Sequence, residues 1–196
     1  TVTVKFKPGE FNLAGGSGAW ERLKKEAAKP DGAHTIIITG EIKAGIDNDG
    51  EIIPGRHLTI EGKDSSAVLH ANQRSRIFHV QGNKTLTLKN LTLKGGIVDT
   101  YGEPGGGAIY AEGPLTMTDC TVTGNRIAAN GGSSGGGICA VSTLTMTDCI
   151  VTDNTADDTD GWGGGGIYAV GTLIMTNCNI TNNRTLCSGG GVYAEG

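Results

Sequence analysis

A short segment recurs three times along this chain at a constant spacing, and this period limits the folds that the chain can adopt. The copies LTMTDCTVTGN, LTMTDCIVTDN and LIMTNCNITNN begin 29 residues apart, at Leu115, Leu144 and Leu173. Less regular copies begin at Leu86 and Leu58. A constant period of this length is typical of a solenoid, in which each repeat forms one coil and stacks on the next.

The pattern inside one repeat indicates which solenoid to expect. In the copy that begins at Leu115, apolar residues alternate with threonines, which is the two-residue period of a β-strand. The alternation slips by one residue at Asp119, so we expect a bend between two short strands there. The sequence IYA at residues 109–111 predicts a third strand. Three strands in about 29 residues predict an all-β fold, a right-handed parallel β-helix whose coils stack about 4.8 Å apart.

Stacking places equivalent positions of successive coils on top of one another, as ladders. Leucine, methionine and cysteine ladders are expected inside the coils. An asparagine ladder is expected at the corner after the second strand, formed by Asn125, Asn154 and Asn183. Amide side chains can hydrogen-bond to one another along such a ladder. Glycine-rich motifs precede the later third strands and predict a tight corner that a Cβ atom would obstruct, which accounts for many of the 34 glycines.

The N-terminal region has a different pattern. Residues 17–29 read SGAWERLKKEAAK, which predicts an amphipathic helix with Ser17 as its N-cap and an apolar face formed by Trp20, Leu23 and Ala27. A β-helix has an open hydrophobic end where other chains can pair, so we expect this helix to cap that end.

Two regions are therefore expected. Residues 1–35 form an N-terminal strand and helical cap, and residues 36–196 form the β-helix. The chain reaches Gly196 where the next copy of the repeat would begin, so we expect the natural protein to continue. An open last coil also predicts self-association through its strand edges.

Charge and hydropathy exclude two classes of partner. The formal net charge is −4 and the pI is near 5.5, which argues against a nucleic-acid-binding protein because such proteins carry a basic face. No apolar run approaches the length of a membrane span, so we expect no membrane insertion by this segment.

At its glycine and asparagine motifs the chain resembles the polymorphic membrane proteins of chlamydiae and related autotransporter surface proteins. The repeats of that family pair GGA[ILV] with FxxN on a right-handed β-helix. Gly106, Gly107, Ala108 and Ile109 read GGAI, and later repeats read GGG[IV]. The FxxN position reads VTGN, VTDN and ITNN, with Val or Ile in place of Phe. The resemblance covers about residues 58–196.

The resemblance implies a secreted bacterial passenger domain on the cell surface, attached to the outer membrane through a region outside this segment. It implies adhesion to a protein or glycan of the host cell or extracellular matrix. From the residues themselves we expect no catalytic group, and no cofactor apart from the calcium considered below. Such scaffolds place specificity in the loops that vary between coils, here residues 97–104, 126–134 and 155–163.

The third strands add a row of aromatic residues at their central position. Aromatic side chains on a surface often anchor protein or sugar partners, although they also simply stiffen sheets. The expected exposed contacts are Tyr110, Tyr168 and Tyr193. Cys139 occupies the equivalent position in the coil between the first two.

The five cysteines do not suggest a disulfide framework. Cys120, Cys149 and Cys178 share one ladder, where their Cβ vectors point the same way, and this geometry disfavours disulfides. We expect them to act as small buried hydrophobic residues. Cys139 and Cys187 are candidates for free thiols, and no CxxC spacing suggests zinc.

Two acidic loops contain a D-x-D-G string. Asp47 and Asp49 lie in the first, and Asp158 and Asp160 lie in the second. Clustered carboxylates beside a glycine turn suit Ca²⁺, but neither loop has the complete calcium-binding pattern. Calcium sites and simple solvated turns are therefore both left open.

Two further functions are also left open. Some β-helices are polysaccharide-active lyases or hydrolases, which need acids and a basic residue converging on one strand face. The adjacent acids at residues 157–158 lie in a loop, and Arg74, Arg76 and the histidines show no pattern of such a site. Outward threonines such as Thr116 and Thr118 predict a flat hydroxyl array of the kind that ice-binding β-helices display, although threonine is common on strand surfaces.

Overall fold

The computed structural model of the chain describes residues 9–46, 50–128, 134–157, 163–186 and 188–195. Six residues named above lie outside these ranges: Asp47, Asp49, Asp158, Asp160, Cys187 and Gly196. Residues 129–133 and 158–162, which belong to two of the variable loops, also lie outside them. The two calcium sites and the free thiol at Cys187 therefore stay predictions.

In the described ranges, one α-helix is accompanied by many short β-strands. The helix is α1 (Ala19–Ala28), and the strands are β1 (Glu10–Ala14), β2 (Thr35–Thr39), β3 (Glu41–Lys43), β4 (Leu58–Gly62), β5 (Val68–His70), β6 (Phe78–Val80), β7 (Leu86–Lys89), β8 (Thr92–Lys94), β9 (Ile97–Val98), β10 (Ile109–Ala111), β11 (Leu115–Thr118), β12 (Thr121–Thr123), β13 (Arg126–Ile127), β14 (Ser134–Gly135), β15 (Ile138–Ala140), β16 (Leu144–Thr147), β17 (Ile150–Thr152), β18 (Thr155–Ala156), β19 (Gly163–Gly164), β20 (Ile167–Ala169), β21 (Leu173–Thr176), β22 (Asn179–Thr181), β23 (Arg184–Thr185) and β24 (Val192–Ala194).

The strands stack into parallel sheets, because each coil places its strands beside those of the next coil. Sheet A has the order β1-β2-β4-β7-β11-β16-β21, sheet B β3-β5-β8-β12-β17-β22, sheet C β6-β10-β15-β20-β24 and sheet D β9-β13-β18-β23, and β14 pairs with β19. In sheet A, Leu115 pairs with Leu144 and Leu144 with Leu173, so coils of 29 residues stack in register. The predicted parallel β-helix is confirmed.

The core consists of ladders of identical or similar side chains. Leu86, Leu115 and Leu144 are buried one above the other, and Met117 lies above Met146. Burying one such side chain contributes about 1.5–3 kcal/mol. The thin interior is therefore filled by medium-sized residues repeated from coil to coil, which agrees with the low aromatic content of 5%.

The cysteine ladder is part of this interior. Cys120 and Cys149 are buried, Cys178 is half-buried, and all three are free thiols. The Cys120 thiol donates to the carbonyl oxygen of Thr118 at 3.2 Å. Its contact with the Cys149 thiol, together with burial, raises the pKa of Cys120. The prediction of small buried hydrophobic residues is confirmed for the first two.

The asparagine ladder is also confirmed. Nδ2 of Asn125 donates to Oδ1 of Asn154 at 2.9 Å, and Nδ2 of Asn154 donates to Oδ1 of Asn183 at 3.0 Å. The same oxygens accept backbone N–H groups, from Asn125 at 3.1 Å and from Asn154 at 3.0 Å. The ladder therefore satisfies main-chain donors that the corner leaves without strand partners.

Glycine is required in the corner motif because adjacent coils approach closely there. A Cβ atom on Gly136 would overlap the carbonyl oxygen of Gly165 in the next coil. At the equivalent Gly190, the nearest atom to such a Cβ is the carbonyl oxygen of Asn183, 3.7 Å away.

Replacing Gly136 with alanine is therefore expected to lower the free energy of unfolding by about 1–3 kcal/mol, the usual cost of overpacking. Gly190→Ala is the matched control and is expected to change it by less than about 0.5 kcal/mol. Urea denaturation of both variants measures the difference. Equal stability of the two variants would show that close coil contact is not the reason for the glycines.

The capping helix is present, but its predicted N-cap is wrong. Trp20, Leu23 and Ala27 are buried as expected. The N-cap is Gly18 and not Ser17, with φ 68° and no side-chain cap. The chain enters the helix through a left-handed turn, which glycine adopts without strain and serine does not.

Strand β1 precedes the helix and already belongs to sheet A. It pairs with β2 along its whole length, from Glu10 with Thr35 to Ala14 with Thr39. Helix α1 therefore belongs to the connection along the chain between two neighbouring strands of one sheet. A separate region at residues 1–35 stays a prediction.

The exposure predicted for Tyr168 is wrong, and Cys139 at the equivalent position is buried too. Tyr168 is 4% exposed and Cys139 is 3% exposed, whereas Tyr110 and Tyr193 are half-buried. Glycine backbone covers this part of sheet C: a Cβ on Gly135 would lie 2.7 Å from the backbone nitrogen of Tyr168. The outer face of β15 and β20 is therefore packed against chain, whereas Tyr110 and Tyr193 stay partly exposed.

Candidate binding site

A buried arginine organises the polar surface beside the first glycine corner. Arg76 is 5% exposed and precedes strand β6. Its Nε donates to the carbonyl oxygen of Gly106 at 3.0 Å, and its Nη2 donates to that of Pro104 at 2.6 Å. Nη1 donates to Oε2 of Glu51 at 3.1 Å. Each contact comes from another part of the chain, so Arg76 holds the segment before β10 in one position.

A histidine lies between two carboxylates next to this arginine. Nδ1 of His79 is 3.3 Å from Oε1 of Glu51, and its Nε2 is 3.2 Å from Oε1 of Glu112. A neutral imidazole donates from only one nitrogen, so both contacts become donated hydrogen bonds only in the charged form. The topology thus brings two acids from different coils to one face of sheet C.

Tyr110 completes this group, which we call the sheet C cluster: Glu51, Arg76, His79, Tyr110 and Glu112. The tyrosine ring lies 5.1 Å from the His79 ring, and the Arg76 guanidinium lies 5.3 Å from its centre. Burial, followed by the charge of Glu112, raises the pKa of Tyr110. Its hydroxyl therefore stays protonated at neutral pH and can donate a hydrogen bond.

The sheet C cluster borders a groove of about 300 Å³, which we call the first groove. It is lined by Glu51 and Arg76 of the cluster and by residues 97–100 and Glu103. Arg74 also lines it. Tyr101, next to the lining residue Thr100, is 77% exposed. One of the three loops in which specificity was predicted therefore forms a wall of this groove.

Three charged side chains of the first groove have no ion-pair partner among the described residues. In the part of the chain that the structure describes, Arg74, Asp99 and Glu103 form no ion pair. Glu51, in contrast, is held by Arg76 and His79. The groove therefore combines a fixed wall with charged groups of both signs that are available to a ligand.

Only some of the site residues predicted from the sequence lie at the sheet C cluster. Gly106 contributes its carbonyl oxygen to Arg76, and Tyr110 belongs to the sheet C cluster. Tyr168 stacks on Tyr193 with ring centres 5.8 Å apart, and its hydroxyl donates to Glu195 at 2.8 Å. These two tyrosines contact each other, away from the cluster.

Four other residues predicted from the sequence are buried in the corner and in the sheet, and they do not line the first groove. Gly107, Ala108 and Ile109 form the corner and start of β10, where the last two are fully buried. Cys139 is a free thiol, and burial raises its pKa to about 12, so it stays protonated and unreactive at neutral pH. Within the described ranges, no group of three or more His, Cys, Asp or Glu residues is arranged to hold a metal ion.

The threonine array predicted for ice binding lies on the outside of sheet A. One rank is continuous over five coils: Thr35, Thr59, Thr87, Thr116 and Thr145. It ends at Ile174. In the neighbouring rank, Glu61 and Lys89 precede Thr118. Charged residues thus confine the two-threonine pattern to a few coils, and ice binding stays a prediction that a freezing assay can test.

Four residues of the sheet C cluster were not identified from the sequence: Glu51, His79 and Glu112 as site residues, and the buried role of Arg76. One signal was available. His79 pairs with Tyr110, so FHV in β6 is the earlier version of the IYA strand. Alignment of these two strands would have placed a histidine in the aromatic row.

A family model described as right handed beta helix region matches residues 34–196. No curated protein and no solved structure matches the chain. Among the described residues, no helix has the length and apolar character needed to span a bilayer.

Proposed function

Because the chain belongs to the right-handed β-helix family, we propose that it is the recognition part of a secreted or cell-surface protein and that it binds a glycan without cleaving it. The observation that carries this proposal is the first groove, whose wall at residues 97–104 is held in place by Arg76. A binding surface that is rigid before the ligand arrives loses little conformational entropy on binding.

The chemistry of the groove suits a sugar. Sugar hydroxyls both donate and accept hydrogen bonds, so they can pair with the carboxylates of Asp99 and Glu103 and with the guanidinium of Arg74. The apolar face of a sugar ring packs well on an exposed aromatic ring, and Tyr101 offers one beside the groove. Polar groups of both signs with one aromatic anchor favour a glycan over an apolar ligand.

The resemblance to polymorphic membrane proteins supports the finer part of this proposal. In that reading the chain is a bacterial adhesin or autotransporter passenger outside the cell, and its ligand belongs to the host cell or extracellular matrix. Several copies of a stiff solenoid on one surface would strengthen a modest single-site affinity through multivalent contact.

Replacing Arg74 with alanine is expected to weaken glycan binding about tenfold, because a hydrogen bond from a charged group is worth about 1.5–3 kcal/mol. Tyr101→Ala is expected to weaken it similarly through lost ring contact. The measurement is binding of the purified chain to an immobilised glycan panel, followed by titration of the best ligand. Arg22→Ala, an exposed position on helix α1, is the control and should bind as the unchanged chain does. Absence of any glycan ligand, or equal loss in the control, contradicts the proposal.

Polysaccharide cleavage is a second candidate, favoured by one observation. Glu51 and Glu112 lie on opposite sides of His79, and paired carboxylates are the usual groups of glycoside hydrolysis. Release of reducing or unsaturated sugars from a polysaccharide panel, abolished in Glu51→Gln, would establish this activity in place of simple binding.

A further inference from the structure

We infer that the ligand is a linear glycan that lies along the axis of the solenoid and occupies a second groove beyond the first. This inference rests on the proposed function and identifies the class of ligand more closely. It excludes a single terminal sugar as the complete ligand.

The second groove adjoins the first. It has a volume of about 200 Å³ and is lined by residues including Gln73, Ile97, Arg126, Asp153 and Thr155. Ile97 lines both grooves, and Gln73 is the sequence neighbour of Arg74 in the first groove. The two grooves therefore adjoin at Ile97, and the inferred ligand passes over this residue from one to the other; we call the two grooves together the track.

The direction of the track follows from sheet D. Ile97 of β9 pairs with Arg126 of β13, and Arg126 pairs with Thr155 of β18. Parallel strands in neighbouring coils are about 4.8 Å apart, so these three side chains span about 10 Å along the solenoid axis. A ligand that follows the track therefore crosses one coil after another, as an extended chain molecule does.

The side chains of the second groove can bind sugar units. Gln73 provides an amide, Asp153 a carboxylate and Thr155 a hydroxyl, and the half-buried Ile97 provides an apolar contact where the grooves meet. Arg126 is held in place by Asp157, whose Oδ2 accepts from both Nε and Nη2 at 2.8 Å. Its guanidinium still has further N–H groups that can donate to a ligand.

The volumes also favour an oligomer. Pockets for small ligands usually measure about 300–1,000 Å³. The first groove is at the lower limit of this range, and the second groove is below it. Each groove alone holds a short piece of glycan, and a longer chain gains the contacts of both.

The test is a length series on the full chain. Isothermal titration uses oligomers of glucose, N-acetylglucosamine and galacturonic acid, from monosaccharides to hexasaccharides. For the series that binds, affinity is expected to rise about tenfold between the disaccharide and the tetrasaccharide and to level off beyond. Constant affinity from the disaccharide upward would overturn the inference.

Arg126→Ala is expected to remove this tenfold gain and to leave disaccharide affinity unchanged. Arg184→Ala is the matched control, because Arg184 lies on the same outward row of sheet D, two coils beyond Arg126, and also contacts Asp157, at 3.9 Å. Arg184→Ala should keep the tenfold rise in affinity with oligomer length. Thermal melts of both variants check that they fold. If Arg126→Ala keeps the gain, or if Arg184→Ala also loses it, the track is not the reason for the length dependence.

The two proposals fail in different ways. If short oligomers bind through Arg74 and their affinity does not rise with oligomer length, the proposed function stands and the linear track is overturned. If no oligomer of any length binds, the proposed function fails, and the inference fails with it.

Discussion

Replacing Arg56 with alanine is expected to lower the free energy of unfolding by about 3–5 kcal/mol, the usual cost of removing one partner of a buried ion pair. Arg56 is 6% exposed and lies 3.6 Å from the buried carboxylate of Glu26. Its guanidinium also donates to carbonyl oxygens at and after the end of α1, those of Glu26, Ala27, Lys29 and Ala33. The last carbonyls of a helix have no partner within the helix, so Arg56 fastens the cap to the first coils.

The controls separate this role from a general effect of removing charge. Arg22→Ala removes an exposed charge from the same helix and is expected to change stability by less than about 0.5 kcal/mol. Arg56→Lys keeps the charge but loses the forked geometry, so it should lie between the two. Urea denaturation measures all three variants. If Arg56→Ala is as stable as Arg22→Ala, the cap is held by its apolar face alone.

The pH dependence of stability provides a second readout of the same ion pair. Burial alone would raise the pKa of Glu26, but hydrogen bonds from Lys29 and from the Ala33 N–H, with the charges of Lys29 and Arg56, outweigh it and lower this pKa. A carboxyl whose pKa is lowered by folding stabilises the protein above its ordinary value, here 4.5, and loses this contribution as the pH falls below it. Arg56→Ala should therefore reduce the loss of stability on acidification.

Replacing Asn154 with alanine is expected to lower the free energy of unfolding by about 2–4 kcal/mol, because each buried polar group left without a partner costs about 1–3 kcal/mol. Asn154 is the central and fully buried member of the ladder. Its Nδ2 donates to the carbonyl oxygens of Val122 and Thr152 and to the amide of Asn183. Its Oδ1 accepts from the backbone N–H and from Nδ2 of Asn125.

The matched control is Asn183→Ala, at the next position of the same ladder. Asn183 is only half-buried, so water can reach groups that lose their partner, and the cost is expected to be about half as large or less. Urea denaturation of the two variants tests the ladder account. Equal costs, or a cost below about 1 kcal/mol for Asn154→Ala, would contradict it.

The later coils could be predicted closely from the sequence because their repeats have equal length. With 29 residues between Leu115, Leu144 and Leu173, equivalent positions are forced on top of one another, and this alone predicts the sheets, the buried ladders and the asparagine corner. The exposure of Tyr168 was predicted wrongly, because a two-residue period distinguishes the two faces of a strand and does not show whether a glycine corner covers the outer one.

The site was harder to predict because it lies in the less regular early coils. Glu51 is in a connection outside the named strands, and His79 is in the strand FHV, which lacks the glycine motif that precedes IYA. Their meeting with Glu112 depends on a register between coils of unequal length. The N-cap was predicted wrongly at Ser17, because a left-handed turn at Gly18 replaces the expected side-chain cap.

The central claim is that the first groove is where a glycan binds. Its most direct test is a ¹H–¹⁵N correlation spectrum of the assigned chain, titrated with the oligosaccharide that binds best in the panel. We expect shifts of the backbone amides at residues 74–76 and 97–103, with little change on the threonine face of sheet A. Shifts confined to that face or to Tyr193, or no shifts at saturating ligand, would contradict it.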